Sequence, residues 1–229
     1  MNRISRIALA LGAGVAVWLV PPASLRAQTL EDLDAATRAA LEEVRAATEK
    51  YQDTEVALAD GYLRDPMNLC TSAGDDDLPS QLGAMGVHFF RPDLLGITAT
   101  EPRVNGNGMH TDFLQPSVLV YYPDETGALK LGAVENLVWE EAWKAAGNES
   151  PPEFLGYQYW HRIDNPLTTH ADEAHMFEPH YELHVWLYQE NPAGLFAQFN
   201  PRVSCDHHQG PKTLAEAMAQ MGAPPAQHP

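Results

Sequence analysis

The stretch His180–Cys205, HYELHVWLYQENPAGLFAQFNPRVSC, limits what this chain can fold into more than any other segment. Side chains of a β-strand alternate between its faces, so Tyr181, Leu183, Val185 and Leu187 share one face while Glu182, His184, Trp186 and Tyr188 share the other. A strand of that kind needs sheet neighbours and an apolar layer to lie against. Asn191-Pro192 and Asn200-Pro201 then stop it and set the turns around Gly194.

The stretch closes on Cys205, and Cys70 is the other of only two cysteines. Their state depends on compartment, which the start of the chain addresses. Arg3 and Arg6 precede the apolar run Ile7–Val20, followed by Pro21, Pro22 and small residues up to Ala27, the pattern of a secretory signal peptide over residues 1–27. The run is shorter than the about 20 residues that cross a bilayer, and no cysteine follows it to carry a lipid. The expectation is a periplasmic or extracellular protein with no stable membrane anchor after cleavage. In that oxidising setting Cys70 and Cys205 are expected to form one disulfide, worth roughly 4 to 5 kcal/mol through loop-closure entropy.

A formal charge of −17, made more negative by loss of Arg3, Arg6 and Arg26, makes nucleic acid and anionic membrane surfaces poor partners. Length and a 45% hydrophobic content suit one globular domain over residues 28–210, followed by a flexible, Pro-rich tail over 211–229.

Along the chain, Thr29 with Asp32 marks a helix start, and Leu30, Leu33, Leu41, Val44 and Tyr51 form its apolar stripe. A shorter helix runs to Ala59, with Gly61 placed to end it. Residues 65–83 have loop composition; Asp75, Asp76 and Asp77 lack calcium-loop spacing and read as an exposed acidic turn. Strands are predicted over 84–90, 117–122 and 128–136, the last two as a hairpin. A helix is predicted over 137–146, with Trp139 and Trp143 one turn apart, and a weak one over 213–221. Residues 151–179 read as irregular, either a lid over a site or a solvated insertion. Together these predict an α+β domain, its N-terminal helices packed on a mainly antiparallel sheet that is either open or curled into a barrel.

Three residues from three predicted strands stand out. Strand alternation places Glu135 in line with Leu129, Leu131 and Ala133, an inward position that is costly for a carboxylate without a partner. His88 and His184 each sit mid-strand, and with Glu135 they make up a 2-His-1-carboxylate ligand set. Zinc, iron or copper would suit it. His180 is an outer candidate, because four residues of regular strand span about 13 Å. The competing explanation is a pair of hydrogen-bonded core histidines, with Glu135 neutralised by Arg91 or by a histidine. In that case the chain is a metal-free module that binds a small-molecule ligand or another protein. A copper carrier built on Met85, Met109, His110, His175 and Met176 is a further alternative. No nucleophile elbow, HExxH, Cys-His pattern or phosphate loop is present, and no reaction is named by the sequence.

The segments MGVHFFRPDLL (Met85–Leu95), LGAVE (Leu131–Glu135) and YELHVWLYQENPAGLFAQFNPRVSC (Tyr181–Cys205) resemble a group of uncharacterised exported bacterial proteins. The resemblance spans about Tyr51 to Cys205, with Tyr188 and Phe199 where that group is expected to carry tryptophan. It implies export and one domain, and carries no mechanism.

Overall fold

The computed structural model describes residues 30–167 and 173–221. The expected signal peptide lies outside the described residues.

Asp34, not Thr29, caps the first long helix, α1 (Ala35–Thr48), its Oδ1 accepting the amides of Ala36 and Thr37 at 2.9 Å each. The chain turns through Glu49–Gln52 into α2 (Thr54–Ala59), capped in the same way by Asp53. The short strands β1 (Leu63–Arg64) and β2 (Cys70–Ser72) lead to β3 (Ala84–Phe90). One helical turn, α3 (Pro92–Leu95), begins a side arm made of β4 (Ile97–Ala99) and β5 (Asn105–Gly106). Strands β6 (Val118–Pro123) and β7 (Leu129–Trp139) form the long hairpin, and α4 (Glu140–Ala145) follows directly. A small hairpin, β8 (Glu153–Phe154) and β9 (Tyr157–Gln158), precedes β10 (Trp160–Arg162) and β11 (His180–Val185); α5 (Leu214–Met221) comes last.

The fold is mixed α+β. Strands β1-β3-β6-β7-β11-β10 are neighbours in one antiparallel sheet, with β2 also paired to β3. No closed barrel is found among the described residues; the sheet is open.

Cross-strand partners share a face, so the register sorts the core. One face carries Phe89 and Tyr121, whose rings lie 4.7 Å apart, and the helices cover it: the Tyr121 hydroxyl donates to the Tyr51 carbonyl at 2.6 Å. Tyr188 likewise donates to the Arg45 carbonyl at 2.9 Å. The opposite face carries Phe90, Val118, Glu135 and His184 in a row across β3, β6, β7 and β11. His88 pairs with Val120 in the next row.

Three expectations need correction. Strand β7 runs three residues past Asn136, so Trp139 ends a strand and is not one helical turn from Trp143. Its indole donates to the Leu95 carbonyl at 2.7 Å. The alternation along β7 breaks at Gly132, where a bulge shifts the register between Val120 and Tyr121. Residues 151–179 are not all irregular either: β10 is a sheet edge, pairing Arg162 with His180. The strand character of Trp160–Arg162 was hidden because its three residues are too few to show a period.

Cys70 and Cys205 form the expected disulfide, joining β2 to the segment after the Asn-Pro turns. Both asparagines act as turn hinges: Asn191 Oδ1 accepts the Ala193 amide and Asn200 Oδ1 the Arg202 amide, each at 2.9 Å. Packing continues beyond residue 210, since α5 buries Ala217 and Met218. No helix among the described residues is long and apolar enough to cross a membrane.

Candidate metal centre

His88, Glu135 and His184 converge, although they come from three different strands. Each offers one ligand atom, and these atoms all lie within 4.8 Å of one another. Glu135 Oε2 is 3.2 Å from His184 Nε2 and 3.6 Å from His88 Nε2. Two ligand atoms held about 2.1 Å from one ion at the tetrahedral angle lie about 3.4 Å apart, and these two edges fall within about 0.2 Å of that spacing.

The site is dry. Glu135 is 2% exposed and His184 0%. Glu135 Oε2 and both ring nitrogens of His184 have no hydrogen-bond partner among the described residues; the His88 contact at 3.6 Å is too long for one, and the His184 contact at 3.2 Å does not form one. Leaving buried polar atoms unpaired costs about 1–3 kcal/mol each, so this arrangement calls for a partner.

Electrostatics act in the same direction. Burial, reinforced by His184, pushes the His88 imidazole down to about 3. Burial also lowers His184 to about 4, in spite of the nearby Glu182 carboxylate. Burial and then Glu182 push the Glu135 carboxyl well above its usual range. Two imidazoles with free lone pairs and a carboxyl short of a counter-charge form a donor set that a divalent cation would complete.

Behind the trio lies a second layer that sequence reasoning missed. Arg162, 6% exposed, holds Asp76 at 2.7 Å and Glu182 at 3.3 Å. Burial alone would raise Glu182; Arg162 outweighs it, with His180 and His184, and keeps the carboxyl well below its usual range. His175 sits 2.7 Å from Asp76 and 3.0 Å from Arg162. The aspartate run is therefore not an exposed acidic turn: Asp76 is buried, and Asp75 caps the turn by accepting the Ser72 amide at 2.8 Å. Glu182 was legible from its place two residues before His184 on one strand face. Nothing in the sequence announced Arg162 or Asp76, whose pairing spans 86 positions.

His180 stands apart from the converging trio. Its Nδ1 faces the Glu178 carbonyl at 2.9 Å and its Nε2 faces Glu182 at 3.5 Å. Arg91 does not neutralise Glu135; it forms a fork with Asp93 at 2.8 and 2.6 Å. The copper-carrier set is also dispersed: Met85 is buried with Ala73 and Phe199, and His110 turns its Nε2 to the carbonyls of Asp112 and Gln115.

A cavity of about 30 Å³ adjoins His88 and Glu135, with Glu182 and His180 on its wall and Ala174, His175 and Phe177 above it. That is room for about one water molecule. The end of the 151–179 region thus lines the cavity beside the site, where a lid would lie. Comparison of the chain with protein-family models, with curated proteins and with solved structures finds no match.

Proposed function

We propose that this chain is an exported protein that binds one divalent transition-metal ion through His88, Glu135 and His184. The observation that carries the reading is the pair of unpartnered, fully buried atoms, Glu135 Oε2 and His184 Nε2, set 3.2 Å apart with His88 beside them. Two imidazoles and one carboxylate are ligands that zinc, iron and copper all accept. Three protein ligands beside a water-sized cavity resemble catalytic sites, which keep a position open, more than closed structural ones. An ion there would supply Lewis acidity. The disulfide supports the export half of the reading, since such bonds persist in oxidising compartments.

Elemental analysis of untagged mature protein tests the proposal. One equivalent of metal is expected in wild type and a loss in both His88→Ala and His184→Ala. Wild type that holds no stoichiometric metal after supplementation with zinc, iron and copper sinks it. The second reading, a metal-free ligand-binding module, is favoured by one observation, an apolar cavity of about 440 Å³ next to the site.

A further inference from the structure

That larger cavity shares Asp65, Met67, Phe90 and Phe177 with the small one that adjoins His88 and Glu135. We propose that it is the substrate pocket of the metal centre and takes a small, uncharged, mainly apolar molecule whose polar end faces the ion. The assignment rests on the metal reading above.

Size and lining both point to such a ligand. At about 440 Å³ the cavity falls within the range of small-molecule sites, about 300–1,000 Å³. Its walls are Leu95, Ile97, Val104 and the two phenylalanines, with Met67 at the junction. The charged groups on the wall are few. Asp65 accepts the amides of Met67 and Leu69 at 3.1 and 3.3 Å, and Arg64 lies 5.9 Å over the Phe89 ring. Glu101 stands at the exposed rim. The apolar walls outnumber the charged groups, and an apolar ligand gains from burial against them.

The partition between the cavities is aromatic. Phe90 stacks on His88, with ring centroids 6.0 Å apart and planes 9° apart, and it meets Phe177 at 5.3 Å. A guest filling the larger space therefore lies against the ring that backs a candidate ligand.

The far wall is built from two segments outside the main sheet. The arm holding β4 and β5 reaches the lid through Val104, whose amide donates to the Met176 carbonyl at 2.8 Å and whose carbonyl accepts the Glu178 amide at 2.9 Å. Arg103 adds a bond from Nε to the Phe177 carbonyl at 2.9 Å. His175 and Met176 adopt φ of 53° and 62°, a conformation that L side chains resist and that the surrounding contacts hold. These bonds tie together the two segments that form the far wall of the cavity.

The test uses the full mature chain, loaded with zinc or cobalt, and the uncharged fluorophore N-phenyl-1-naphthylamine, which brightens in apolar surroundings. Saturable binding with one site per chain is expected. It should weaken at least tenfold in Val104→Trp and in Ile97→Trp, two independent ways of filling the cavity, with metal content unchanged. Cobalt in place of zinc should quench the bound probe, and His184→Ala should abolish that quenching. Full metal content with no saturable binding, or binding indifferent to both filling variants, overturns the pocket and leaves the metal reading standing. Saturable binding that filling removes, in a protein that holds no metal, overturns the metal reading and with it the role of the cavity as that centre's substrate pocket.

Discussion

Glu135 and His184 face each other directly across β7 and β11, and their Oε2 and Nε2 atoms stand 3.2 Å apart without a hydrogen bond between them. A protein that buries such a pair is stabilised by whatever completes it. With zinc at 100 times its dissociation constant, mass action adds about 2.7 kcal/mol. For a domain of this size that raises Tm by about 5 to 10 °C. Glu135→Gln keeps the shape and removes the charge, so its metal-free Tm should equal or exceed wild type while the zinc response disappears. Calorimetry with and without chelator reads both quantities, and an undiminished zinc shift in the variant would show that Glu135 is no ligand.

Arg162 is the cation that Asp76 and Glu182 share beneath the sheet face. Arg162→Leu leaves two buried carboxylates without it, and breaking a buried pair on one side costs about 3–5 kcal/mol. The midpoint of urea unfolding should fall accordingly. Adding Glu182→Gln to Arg162→Leu should recover part of the loss, because one stranded charge is then removed. A double variant no more stable than the single would place the cost in packing.

The sequence pattern predicted the sheet well where apolar alternation ran over six or seven residues: β3, β6 and β11 lie within three residues of expectation, and Glu135, His88 and His184 converge as strand alternation suggested. The cap at Asp34 was missed because Thr29, Asp32 and Asp34 all offer oxygen acceptors, and only backbone geometry selects among them. The bulge at Gly132 has no period to betray it. Arg162 and Asp76 were invisible for a different reason: a charged residue in a short polar run looks solvated until distant segments close over it.

Gly86 lies mid-strand, two residues from His88, with φ of 120°, and a Cβ there would come within 2.1 Å of the Tyr121 carbonyl oxygen. Backbone rather than a flexible side chain would have to move. Gly86→Ala should cost about 3 kcal/mol and lower metal content through displacement of β3. Gly147, with φ of 88° and open space around its missing Cβ, is the control. Gly147→Ala should cost only about 1–2 kcal/mol from conformation and leave metal content intact. Equal losses in the two variants would remove the steric explanation.

The disulfide closes a loop across a separation of 135 residues. Converting both Cys70 and Cys205 to alanine should cost about 2–5 kcal/mol, by releasing the unfolded chain from that constraint. Thermal unfolding of the double variant, compared with wild type kept oxidised, should show a Tm lower by roughly 5 to 15 °C. A change of less than two degrees would mean that contacts around β2 already hold the two segments together.

His208 ties the same region down by a different bond, its Nε2 donating to the Asn68 carbonyl at 2.7 Å. Burial lowers its pKa below the ordinary 6.5, so the folded protein holds the ring neutral where the unfolded chain would already take a proton. The unfolded state then binds more protons below about pH 6.5, and the sign follows: this contribution to stability is complete above that pH and is lost as pH falls through it. His208→Gln keeps a donor for Asn68 and removes the titration. In chelator-treated protein, where metal uptake plays no part, Tm between pH 7.5 and 5.5 should fall more steeply in wild type than in the variant. Parallel slopes would show that His208 titrates alike in the folded and unfolded chain.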